Sequence, residues 1–83
     1  MARAVERTDP DLIAAFAAEL RARRRAAGLS QEELAHRADL SVSTVSFLET
    51  RRRQPSLTVM RALARALGVS LAAFAGGVET RLE

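Results

Sequence analysis

The side chains able to do chemistry in this chain are mostly of one kind. All 13 of its Lys and Arg residues are arginines, in a chain of 83. A guanidinium stays protonated, so it is no general base. Its planar fork instead binds two oxygens of a phosphate or carboxylate at once. The other candidates are sparse. His36 has neither a cysteine nor a second histidine to join it in a metal site or an acid–base pair. Glu32 and Glu33 sit at what reads as a helix start, where the dipole favours acids. Ser41, Ser43 and Ser46 have no evident base, and Gly76-Gly77 is too isolated for a phosphate-cradling loop. The residues point away from an enzyme, a metal centre or a cofactor, and toward binding through arginine.

The arginines are unevenly spread. Met1 to Leu20 carries two Arg against four acids, net −2. Arg21 to Arg65 carries ten against four, net +6, and Ala66 to Glu83 carries one against two, net −1. Positive charge gathered on one segment is the electrostatic footprint of a nucleic-acid binder. With no cysteine, disulfides are excluded and the composition suits a reducing cytoplasm. No apolar run approaches a membrane span, and Met1 to Pro10 lacks the apolar core of a signal peptide.

The elements that must position these arginines read as helices. Asp9-Pro10 starts the first, with Leu12, Ile13, Phe16, Ala17 and Leu20 as its apolar stripe and Gly28 as its stop. Ser30-Gln31-Glu32-Glu33 is a capping box for the second. Ser41 caps the third and Ser56 the fourth, whose stripe is Leu57, Met60, Leu63, Ala64 and Leu67, ending at Gly68. Ser70 caps a short fifth helix to about Ala75, with Leu71 and Phe74 inward. Gly76-Gly77 is expected to break regular structure, leaving 76–83 as a tail. The expected organisation is a flexible segment 1–8, one all-α domain over 9–75, and that tail.

Within this series, Gln31 to Thr50 has the spacing of a helix-turn-helix. Leu34, Ala35 and Ala38 share one face, a break follows at Asp39-Leu40-Ser41, and Val45 and Leu48 point inward on the next helix. Ser43, Thr44 and Ser46 are left outside. Two short helices held in this way are a common device for placing one of them in the DNA major groove.

The stretch Gly28-Leu29-Ser30-Gln31-Glu32-Glu33-Leu34-Ala35 resembles the Cro/cI-type (XRE-like) helix-turn-helix family of bacterial and phage regulators. So do Leu40-Ser41, Ser43-Thr44-Val45-Ser46, Leu48-Glu49, Arg53-Gln54-Pro55-Ser56-Leu57 and Ala64-Arg65-Ala66-Leu67-Gly68-Val69-Ser70. The resemblance implies a compact five-helix, lambda-repressor-like domain bound to double-stranded DNA. The helix after Ser41 would enter the major groove, with Ser41, Val42, Ser43, Thr44 and Phe47 toward bases or the adjacent backbone. Gln31 would touch a phosphate with an exposed amide, and Arg51, Arg52 and Arg53 would lie beside the sugar-phosphate chain. It also implies a structural ion pair between Arg24 and Glu49.

Three positions depart from the family pattern. Asp39 and Arg51 stand where glycines are usual, and Arg23 where leucine is usual, its stem covering the patch while its head reaches water. Val42 and Phe47 cannot form bidentate bonds to bases, so modest discrimination per half-site is expected, with dimerisation and DNA shape supplying more.

The function expected is that of a small stand-alone repressor or controller protein, cytoplasmic and nucleoid-associated. It would bind an operator as a homodimer through Leu71, Phe74, Val78 and Leu82, with no membrane and no small-molecule effector. An antitoxin or adaptor whose main partner is a protein is the alternative, favoured by apolar Phe47 in a groove-facing position.

Overall fold

Each helix begins with a side chain that accepts a hydrogen bond from its own first turn. In the computed structural model, which describes residues 8–83, the helices are α1 (Pro10–Ala26), α2 (Gln31–Ala38), α3 (Val42–Glu49), α4 (Leu57–Ala66) and α5 (Leu71–Arg81). Asp9, Ser30, Ser41, Ser56 and Ser70 cap them in that order. The capping box of α2 is complete: the Glu33 amide donates to Ser30 Oγ at 3.0 Å and the Ser30 amide to Glu33 Oε1 at 2.8 Å. The bond from the Ser30 amide, with that from its hydroxyl, holds the Glu33 carboxyl below its ordinary pKa. The expected N-terminal segment 1–8 lies outside the described residues, Thr8 apart.

The first four helices also end alike. Gly28, Asp39, Arg51 and Gly68 have φ of 72°, 57°, 68° and 75°. The next amide in each case reaches back five residues: Leu29 to Arg24 O, Leu40 to Ala35 O, Arg52 to Phe47 O and Val69 to Ala64 O, at 2.9–3.1 Å. This closure satisfies carbonyls that the helix end would leave bare. The closure needs a left-handed backbone at those four positions, and Asp39 and Arg51 adopt it at a steric cost that glycine does not bear.

The helices pack in a ring, α1 on α3 and α5, α2 on α3 and α4, and α4 on α5. Phe74, Leu20, Leu34, Leu48, Leu63 and Val45 fill its centre. The rings of Phe16 and Phe74 lie 5.4 Å apart. Two leucines expected in the core are outside it. Leu12, in the first turn of α1, is 40% exposed, and Leu57, the first residue of α4, is 73% exposed. Both lie in the first turn of their helix, ahead of its buried residues.

The C-terminal tail expected from Gly76-Gly77 is helix instead. Phe74 and Val78, one turn apart on α5, are both buried. A buried carboxylate on α1 explains the helix's hold. Glu19 accepts from Arg23 Nε at 2.5 Å and from Arg81 Nε at 2.9 Å, tying α1 to the last turn of α5. Burial would push the Glu19 carboxyl up, but the bonds from Arg81 and Arg23 outweigh it and hold it below the usual range. A Cβ on Gly77 would overlap that carboxylate, so the glycine is required for close approach. Arg23 does not hold its head in water as expected. It lies 5.8 Å over the Phe74 ring and also reaches Ala73 O at 3.3 Å.

A second buried carboxylate fixes α3. Arg24 Nε and a terminal Arg24 nitrogen donate to the two oxygens of Glu49 at 2.6 and 3.0 Å, and Gln31 Nε2 donates at 3.1 Å. The other Arg24 terminal nitrogen bonds Leu29 O at 2.8 Å, and Arg21 bonds Glu49 O at 2.9 Å. Glu49 is 2% exposed. Burial would raise its pKa, but the Arg24 and Gln31 bonds prevail and lower it, while the bond to Glu49 raises that of Arg24.

Replacing Arg24 by Met, which keeps the stem, strands a buried carboxylate. Unfolding free energy from urea titration should fall by about 3–5 kcal/mol. Because the Glu49 and Glu19 pKa values are lowered on folding, their contribution is present above the ordinary 4.5 and lost as pH falls through the folded values. Stability should therefore decline with acidification below about pH 4.5, and less steeply in Glu49→Gln. The two glycines of α5 should respond oppositely. Gly76→Ala, with open space at its Cβ, should stabilise by about 0.5–1 kcal/mol through helix propensity. Gly77→Ala should lose that gain or reverse it in the same thermal melts.

Candidate nucleic-acid interface

α3 divides into an inner and an outer face. Val45, Leu48 and Glu49 are buried, anchoring it to α1 and α2. Val42 is 44% exposed, Ser43 is exposed, and Phe47 is half-buried one turn beyond Ser43. At the N-terminus the Thr44 amide donates to Ser41 Oγ at 3.1 Å, and the two hydroxyls lie 2.8 Å apart. Thr44 is thus partly committed to the cap, which leaves Ser43 as the freer hydroxyl.

The loop after α3 is tied down at its start. Thr50 Oγ1 donates to Ser46 O at 2.9 Å, and the Arg52 amide donates to Phe47 O at 2.9 Å across left-handed Arg51. Arg51, Arg52 and Arg53 are all exposed. The ion pairs among the described residues involve Arg23, Arg24 and Arg81, so arginines 51–53 keep their charge for an outside anion. The Glu49 carboxylate is buried and engaged and does not offset them.

The structure brings Ser41, Val42, Ser43, Thr44, Phe47 and arginines 51–53 together on α3 and its following loop. Gln31 differs from expectation, since its amide nitrogen is bonded to Glu49 instead of free. That bond spans 18 residues, and no local spacing rule announces it. Sequence reasoning also missed the Arg21 side chain on the Glu49 carbonyl and exposed Leu57 beside the arginine loop in the chain. The Glu19–Arg23 spacing of four was a readable signal, whereas Arg81 joining them was not. Of the four residues expected at a dimer interface, Phe74 and Val78 are buried in the domain's own core, Leu71 is half-buried, and Leu82 is 46% exposed.

Comparison with known proteins places this arrangement. The family model described as Helix-turn-helix matches residues 20–74, which span α2 to α4 whole. An uncharacterized HTH-type transcriptional regulator of Methanothermobacter thermautotrophicus is 45% identical over 49 residues, covering 59% of this chain and 71% of its own. Among solved structures, the clp gene regulator ClgR of C. glutamicum superposes with a TM-score of 0.80 at 29% identity, over 87% of this chain and 94% of that one. The restriction-modification controller protein C.AhdI of Aeromonas hydrophila gives 0.72 at 37% identity, over 75% and 94%. Among the described residues no single helix is long and apolar enough to cross a membrane. With its paired helices α2 and α3 in the matched span, the chain belongs to the Cro/cI-type (XRE-like) helix-turn-helix family of DNA-binding transcriptional regulators.

Proposed function

We propose that this protein is a transcriptional regulator that binds a palindromic or near-palindromic operator as a homodimer, with α3 in the major groove. The observation that carries the reading is the juxtaposition of three exposed, uncompensated arginines with the exposed face of a helix held rigidly from behind by Arg24 and Glu49. Arginines 51 and 52 contact phosphates. Val42 and Ser43 meet base edges, and Thr44 acts from the cap beside Ser41. Two subunits place two such helices in successive major grooves, about 34 Å apart. The protein's place of action is the cytoplasmic nucleoid. Likeness to a restriction-modification controller protein supports this small-regulator reading.

A protein partner in place of DNA is the second reading, favoured by Leu57, which is 73% exposed, and by exposed Val42. Selection of sites from a random DNA pool, followed by titration across a salt series, separates the two. The regulator reading expects an enriched inverted repeat and affinity falling linearly with the logarithm of salt. No DNA binding even at low salt would transfer the weight to the protein partner. Arg52→Ala should weaken binding to all sequences alike and lower the salt slope by about one contact. Ser43→Ala should instead alter preference among operator variants.

With Phe74 and Val78 committed to the core, the two-fold contact is assigned to the first turns of α1 and the end of α5. Leu12 and Leu82 are exposed there, beside a cleft lined by Asp11, Ala14, Ala18 and Arg81. Asp11 and Arg81 are complementary across a two-fold axis. Light scattering at tens of micromolar should report a dimer that Leu82→Glu converts to monomer. A monomeric wild type, or a dimer indifferent to this change, would remove the assignment.

A further inference from the structure

Among the described residues two arginines stack on phenylalanines, and the two stacks differ in what the guanidinium has left to give. Arg23, over Phe74 at 5.8 Å, is paired with Glu19 and also donates to the Ala73 carbonyl. Arg53, over Phe47 at 5.3 Å, has no hydrogen-bond or carboxylate partner among the described residues. The first stack seals the core. The second leaves the N–H edge of a guanidinium open beside the helix proposed to enter the groove.

The backbone sets up this second stack. Left-handed Arg51 turns the chain, and the Arg52 amide bonds to the carbonyl of Phe47 itself. The next residue, Arg53, therefore starts beside the Phe47 ring. Phe47 is half-buried, which limits its rotation, and it shares a helical face with Ser43. A phosphate can meet the guanidinium fork in many orientations, through any two of its oxygens, so fixing the plane in advance adds little there. A base contact depends on that plane, because two parallel N–H groups must meet the O6 and N7 of one guanine. Elsewhere on the outer face, Val42 offers no hydrogen bond and Ser43 at most one short reach.

We propose that Arg53 is the principal base-reading residue, bidentate to a guanine in each half-site, and that Phe47 is a positioning residue that pre-orients it. The proposal rests on the DNA-binding reading above. It gives apolar Phe47 a place in recognition without direct reading, and separates Arg53 from its backbone-contacting neighbours Arg51 and Arg52.

The test compares the selected site of the wild type with those of Arg53→Lys, Phe47→Leu and Phe47→Tyr, using duplexes changed one base pair at a time. Arg53→Lys keeps the charge and loses the fork. It should lose about 10- to 100-fold of discrimination at one G·C position per half-site while keeping its salt slope. Phe47→Leu should lose part of the same discrimination, and Phe47→Tyr should restore it. The chain has no tryptophan, so Phe47→Trp supplies a lone fluorophore, whose emission should change when Arg53→Ala is added. Unchanged base preferences in Arg53→Lys, or emission indifferent to Arg53→Ala, would overturn this proposal and leave the regulator reading intact. A wild type that binds no DNA would overturn both.

Discussion

Glu49 holds its carboxylate at 2% exposure where α1, α2 and α3 meet, and the placement of the recognition helix depends on how that charge is satisfied. A carboxylate removed from water without partners would be costly by several kcal/mol. Here one oxygen pair meets the fork of Arg24 and a third donor comes from Gln31. The same guanidinium holds Leu29 O just after α1, and Arg21 takes the Glu49 main chain. One ion therefore fixes the end of α1, the start of α2 and the last turn of α3 relative to one another. Hydrophobic packing alone would tolerate sliding between such short helices. A directional cluster tolerates much less, and a helix that must fit a groove needs that angular precision.

The same solution recurs on the other side of α1. Glu19 joins Arg23 and Arg81 and so secures α5. The bundle has two buried acids, each on or against α1 and each neutralised by arginine. Gly77 supplies the close approach that the Glu19 cluster needs. In a chain of 83 residues, with limited apolar area to bury, such polar clamps add a specificity of arrangement to what core volume supplies.

Much of the fold was legible because it rests on local rules. The five caps, the stops at Gly28 and Gly68, and the left-handed turn at Asp39 each follow from a residue and its near neighbours. Arg24 and Glu49 were placed by resemblance to a family, not by spacing. What escaped was set by partners far along the chain. Gly76-Gly77 reads as a break by propensity, yet Phe74, Val78 and the Glu19–Arg81 bond keep α5 helical through it. Gln31 reads as an exposed amide until Glu49 arrives from 18 residues away. Leu57 reads as core by period, but periodicity does not say where the neighbouring helix ends. For the candidate site the sequence grouped the residues that α3 and its following loop carry, while no spacing rule links Arg53 in the loop to the Phe47 ring on the helix.

The shared closure of the helix ends has a consequence for where the molecule opens. Glycine occupies the left-handed position after α1 and after α4, at little steric cost. After α2 and after α3 the position is held by Asp39 and Arg51, which retain strain of about 1 kcal/mol each. Those two turns flank α3 on both sides. Stored strain is thus concentrated at the hinges of the single helix proposed to change its surroundings on binding, while the scaffold's other turns are relaxed. Backbone strain thus favours opening at these two turns, on the scale that amide exchange reports, while the Arg24–Glu49 cluster resists any rotation of the helix between them.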